Sequence, residues 1–241
     1  MIAPDRYEVR ARLVPGLVAV LPVPVAICAL GLRHDPLISA LLALGSAVGA
    51  PVVLASYVRQ QGKALERRLF ETWDGPPTTV MLRHRGPPSH AIVRNQLRAQ
   101  VSRVVQRSLP SAAEEAADPA MSDEIYAAAI ARLRGLTRDR KRFPLLFTEN
   151  RNYGYERNLL AMRPLGLLAS AVTCCFLLAC IALTIAGLLS IRSDDPVIGS
   201  IATAVIFVGW LLIPSPANVR RIAEAYASQL AEAAWNLNPP P

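Results

Sequence analysis

Two short stretches hold the residue types from which a binding site can be built. Residues 73–85 combine a Gly-Pro-Pro breaker, the hydroxyls of Thr78 and Thr79, and the basic triplet Arg83, His84 and Arg85. A guanidinium is a planar fork of donors that matches phosphate oxygens, and a threonine hydroxyl adds another donor. The triplet can therefore hold an anionic, phosphate-bearing small molecule. It can equally rest on anionic lipid headgroups with Trp73 at the interface, and this second reading is preferred. Residues 137–147 place Arg138, Arg140, Lys141 and Arg142 ahead of an apolar patch. Single-stranded nucleic acid is held by basic grooves interleaved with stacking aromatics. Only Phe143 and Phe147 lie nearby, which argues against nucleic acid and for a solvated or lipid-facing rim. A third stretch, residues 149–158, is polar and carries Tyr153 and Tyr155, which suits either partner recognition or interfacial anchoring.

Catalytic chemistry has little to draw on. The histidines are His34, His84 and His90, and they form no H-E-x-x-H; there is no G-x-S-x-G and no phosphate-cradling glycine loop. Cys28, Cys174, Cys175 and Cys180 sit inside apolar runs without C-x-x-C spacing, so no metal or cofactor is expected. The expectation is a protein that is not an enzyme.

The elements that must carry these stretches are set by composition. The chain has 241 residues, of which 52% are hydrophobic and 18% charged, with a net charge of +8. Soluble domains are about a quarter charged. Such hydrophobicity excludes disorder and points to charges crowded into a minority of the chain. Residues 13–32, 36–57, 164–191 and 196–214 contain no charged residue. A membrane-crossing helix needs about 20 mostly apolar residues. The expected fold is mainly α: four transmembrane helices as two hairpins, with a small helical cytoplasmic domain inserted between the second and third. The segments are a first hairpin (1–57), a basic domain (58–163), a second hairpin (164–214) and an amphipathic C-terminal helix (215–241).

Arg and Lys favour the cytoplasmic side. Residues 1–12, 58–163 and 215–241 carry 24 of the 26 basic residues, against one in each hairpin turn. Both termini and the middle are therefore expected in the cytoplasm. Within the middle, residues 78–85 read as a short strand or extended loop. Residues 89–107 and a helix opening at Asp118-Pro119 read as amphipathic helices, and residues 111–118 read as an acidic linker. In the tail, Ile222, Tyr226, Leu230 and Trp235 read as the apolar side.

The spans lack the ionisable groups that coupled transporters use. Gly45-x-x-x-Gly49, with Ser46 in a neighbouring register, is a small-residue face for helix packing. It reads as a homo-oligomer contact or as packing within one subunit, the latter preferred.

Residues 73–85 and 143–160, with Thr137, Arg138 and Asp139, resemble a family of uncharacterised bacterial membrane proteins. Its members carry W-x-G-x-P-T-T-x-x-L-R-H-R and F-P-L-L-x-x-E-N-x-x-Y-G-x-x-R-N-L blocks between paired spans. The resemblance implies no activity. The two-plus-two layout is also similar, in architecture alone, to four-span effectors of anti-phage defence. The leading expectation is a non-enzymatic effector that oligomerises and perturbs or permeabilises the membrane on a cytoplasmic signal. The alternative is a membrane-anchored adaptor that recruits a cytosolic protein.

Overall fold

A computed structural model describes residues 9–32, 35–47, 49–85, 91–190 and 194–237; for residues 41, 42, 44–47 and 194 only the backbone is described. Every element among them is helical. A π-helical turn, Val9–Leu13, leads into α1 (Val14–Val20), α2 (Pro22–Ala29), α3 (Pro36–Ala47), α4 (Ala50–Thr72), α5 (Pro77–Val80) and α6 (Ala91–Val105). Then follow α7 (Ala112–Ala117), α8 (Pro119–Leu136), α9 (Pro144–Ile185), α10 (Asp194–Leu212) and α11 (Pro216–Trp235). The chain divides into two compact units: Met1–Leu65 with Gly154–Asn218, and Glu66–Tyr153 with Val219–Pro241.

The first unit is the apolar one. Pro144–Ile185 and Asp195–Leu212 are long and apolar enough to cross a membrane, and only 22% and 28% of their most apolar windows are buried. Val9–Val20 and Pro22–Ala29 make a third candidate, bent by 42°. The bend falls at Pro22, whose missing N–H and bulky ring interrupt the helical ladder. Among the described residues, two or three candidate spans thus stand where four were expected. The exception is the run 36–57, which is split between α3 and the start of α4 at Gly49, with φ 92°. Twelve helical residues reach about 18 Å, short of a hydrocarbon core of about 30 Å.

Inside this unit, glycine permits close approach. A Cβ on Gly166 would lie 2.1 Å from Trp210 Cε2, and one on Gly199 would lie 2.6 Å from Ala29 Cβ. Ser170, Ser200 and Thr203 return their hydroxyls to carbonyls four residues earlier at 2.7–2.8 Å. These three hydroxyls are thereby satisfied within their own helices, without water.

The second unit has a soluble-type core. Leu82, Leu97, Val101, Tyr126, Ile130 and Leu133 pack with Phe143, Leu146 and Leu230. Asp118 caps α8 by accepting Met121 N–H at 3.0 Å, with Pro119 in the first turn, as the sequence indicates. Three local expectations are corrected. Residues 78–85, expected as a short strand or extended loop, form part of α5 and the turns that follow it. The acidic linker is the helix α7, opened by a capping box in which Ser111 Oγ accepts Glu114 N–H and Glu114 accepts Ser111 N–H. In α11 the buried stripe is Val219, Ala223, Ala227, Leu230, Ala233 and Ala234, while Trp235 is 52% exposed. An alanine stripe lets the helix sit close, and Gln100 Nε2 holds it by donating to Ala234 O at 3.0 Å. The C-terminal helix thus shares the core of this unit, which is made of Glu66–Tyr153 and Val219–Pro241.

Candidate functional site: a clasped arginine loop and an open one

The loop after α4 turns on itself at Asp74 and Gly75, which have φ 59° and 112°. Glycine adopts this left-handed region freely, and Asp is one of the few other residues that tolerate it. Pro76 is extended, Pro77 opens α5, and the chain returns at Arg83. Arg83 is 4% exposed. Its Nη1 donates to Asp74 O at 2.5 Å and Asp74 Oδ2 at 2.7 Å, closing the loop. Its Nε and Nη2 donate to the two carboxylate oxygens of Asp123 on α8, at 2.8 and 2.7 Å. This is a bidentate fork. A side chain at Gly75 would meet Arg83 Nη2 at 2.9 Å, so the small residue also makes room for the guanidinium.

Arg85 extends the network, donating to Glu115 Oε1 at 3.0 Å and Asp123 Oδ2 at 2.7 Å. Glu115, on α7, is 3% exposed. It also accepts His84 N–H at 2.8 Å, Arg85 N–H at 3.2 Å and the Tyr126 hydroxyl at 2.6 Å. Arg98 is buried behind this cluster. It donates to Tyr126 Oη at 2.9 Å and to the carbonyls of Leu82 and Pro110. Burial favours a neutral Glu115, but the hydrogen bonds from Tyr126, His84 N–H and Arg85 outweigh it and bring the carboxyl down to about 2. Burial also opposes the charge on Arg85; its bonds to Asp123 and Glu115 outweigh that and raise its pKa. Burial, then the Glu115 contact, raises the Tyr126 phenol.

Arg83 and Arg85 thus pair with three carboxylates, Asp74, Asp123 and Glu115, while Arg98 behind them donates to neutral oxygens, so the three guanidiniums and three carboxylates balance in number. The cluster carries no net charge to attract an anion, and Glu115 stays ionised far below neutral pH, so it exchanges no proton there. Thr78 and Thr79 are buried too, with Thr78 Oγ1 accepting Arg134 Nη2 at 3.1 Å. His84 is half-buried, its Nε2 3.3 Å from Pro110 O.

Arg138, Arg140 and Arg142 lie together in the exposed turn between α8 and α9. Asp139 Oδ1 orders this turn by accepting the N–H of Lys141 at 2.8 Å and of Arg142 at 3.3 Å. Arg140 lies over the Phe147 ring at 5.4 Å and Arg142 over Phe143 at 5.3 Å, while Arg142 Nη2 donates to Asn236 O at 2.7 Å. The two basic clusters are therefore unlike: the first is consumed internally, and the second is presented.

Gly45 and Ser46 fall in α3, with backbone alone described, and Gly49 lies beyond its end in a left-handed conformation. The Gly45-to-Gly49 spacing is not a continuous helical stripe. His34 and His90 lie outside the described residues. Among those described, no group of three or more His, Cys, Asp or Glu is placed to hold a metal.

The sequence reading missed Asp74, Arg98, Glu115, Asp123 and Tyr126. The one available signal was Ser111-x-x-Glu114, a capping box that puts Glu115 on a helix. No family model matches the chain, and no match was found among curated proteins or solved structures.

Proposed function

We propose that the chain is a multi-pass, non-enzymatic protein of a bacterial inner membrane, with termini and helical unit in the cytoplasm, and that it works as an anchored adaptor. In this reading the run 36–57 is a fourth, broken crossing. The observation that carries the adaptor role is the turn with Arg138, Arg140, Lys141 and Arg142, which is ordered, exposed and strongly basic. Its charge is presented on rigid supports, which suits an acidic face on a cytosolic protein. The test is purification of the full chain from its native host in detergent. A stoichiometric soluble partner, released by Arg138→Glu with Arg142→Glu, supports the reading. A partner retained after charge reversal, or none bound by the wild type, refutes it.

A second reading is an oligomeric effector that permeabilises the membrane, with antiviral defence as one setting. It is favoured by the breaks at Pro22 and Gly49, which leave short helices in apolar sequence. Collapse of the membrane potential on expression under a trigger supports it, and an intact potential counts against it.

A further inference from the structure

In the first unit a groove of about 270 Å³ lies between the π-helical turn Val9–Leu13 and the start of α4. Its walls include the apolar side chains of Leu13, Val52 and Ala55, with Arg12, Ser56 and Arg59 as polar members; among the described residues none that lines it is acidic. Arg12 is half-buried and Arg59 exposed. π-helical turns are rare and are found often at functional positions.

The position of the two arginines in the sequence is the second observation. Arg12 directly precedes the charge-free run 13–32, and Arg59 follows the charge-free run 36–57 by two residues. The fold brings these two boundaries together at one groove. Along α4 the lining passes from Pro51, Val52 and Ala55, apolar surface suited to an acyl chain, to Ser56 and Arg59, and Arg12 adds a second guanidinium. That sequence of chemistries matches an anionic phospholipid: hydrocarbon, then phosphate. A guanidinium supplies forked donors to phosphate oxygens, and basic pockets between helices on the cytoplasmic side suit anionic headgroups.

We infer that this groove is a site for an anionic phospholipid, with Arg12 and Arg59 on the phosphate, Ser56 beside them, and an acyl chain along Leu13, Val52 and Ala55. The inference rests on the membrane reading above. Lipid held there fixes the depth of α1 and α4 at the leaflet boundary.

The test uses the full chain, purified in a neutral detergent and titrated separately with phosphatidylglycerol and phosphatidylcholine, with bound lipid read by native mass spectrometry. The wild type is expected to prefer phosphatidylglycerol by about tenfold or more, the scale set by roughly 1 kcal/mol per basic residue at a membrane surface. Arg12→Gln with Arg59→Gln should abolish that preference, and Arg138→Gln with Arg142→Gln should leave it unchanged. If the double variant loses its helical circular dichroism, Arg59→Gln alone, on an exposed helix position, should reduce the preference at least about threefold. Equal uptake of the two lipids by the wild type overturns the site, as does a wild-type preference in a folded Arg59→Gln protein. A chain that stays monodisperse without detergent and takes up neither lipid overturns the membrane reading along with the site. A chain that needs detergent yet shows no preference overturns the site alone.

Discussion

Arg83 and Glu115 do most to define the second unit, because each is a charge taken out of water and fully matched. Asp74 and Asp123 keep access to water and Asp123 keeps Arg85, so removing Arg83 strands no buried charge and costs its charged hydrogen bonds, about 1.5–3 kcal/mol. Arg83→Ala should destabilise the unit by that amount, seen as lost hydrogen-exchange protection over residues 73–85 and in α8. Arg138→Ala, in the exposed turn, should change stability by no more than about 0.5 kcal/mol. Glu115 also sets a pH dependence. Its carboxyl is lowered from 4.5 to about 2, so its stabilisation is complete above the unfolded value and is lost as pH falls from about 4.5 toward 2. The shift corresponds to something on the order of 3 kcal/mol. Glu115→Gln should start less stable at neutral pH and show a shallower acid loss across that window, measurable by acid titration of helical circular dichroism. None of these pairings was legible in the sequence. Arg83 meets Asp123 across 40 residues and Arg85 meets Glu115 across 30, and a guanidinium's charge alone does not say whether it faces a ligand or a carboxylate.

At the scale of elements, local chemistry was legible and packing size was not. Asp118-Pro119 starts a helix because the Asp side chain accepts an orphan N–H and Pro lacks one to spare; both facts reside in adjacent residues. The face of α8 follows from 3.6-residue spacing, with Ala129, Ile130 and Leu133 buried, Ile125 half-buried and Tyr126 joining them. In α11 the same logic found Leu230, which is buried, and Tyr226, which packs half-buried against the core, but it misplaced the exposed Trp235 and passed over the alanines of the close-packed side. In α6 the spacing found Leu97, Val101, Val104 and Val105, but Ile92 and Val93 at its start are exposed. The break in residues 36–57 hides behind unbroken hydropathy, because composition records Gly49 as apolar-compatible and not its φ. Two substitutions test the elements. Ser111→Ala removes the α7 cap and should cost about 1 kcal/mol, with faster exchange in Ala112–Ala117. Gly166→Ala drives a methyl into the buried Trp210 ring and should cost about 1–3 kcal/mol, with a shifted tryptophan fluorescence.

Over the whole molecule, two kinds of surface call for two solvents. The first unit exposes Leu168, Val172, Phe176, Ile198, Ile201 and Val205 along α9 and α10. Water does not favour contiguous apolar faces of this kind, and hydrocarbon does. The second unit buries an ordinary core and presents the basic turn at Arg138, Arg140 and Arg142 outward. That some helices are apolar enough to cross a membrane was legible from charge-free spacing alone, since burial of charge in lipid is costly wherever it falls. The inclusion of the C-terminal helix in the basic unit was not, because that depends on contacts made across more than a hundred residues, such as Gln100 with Ala234. The central claim is that hydrocarbon surrounds the first unit and cytoplasm the second. A small accessible tag inserted after the exposed Arg107, between α6 and α7, probes it directly in intact and permeabilised cells. The account predicts a membrane-fraction protein whose tag is labelled only after permeabilisation of the inner membrane. Labelling in cells with that membrane intact, or recovery of the chain in the soluble fraction, would contradict it.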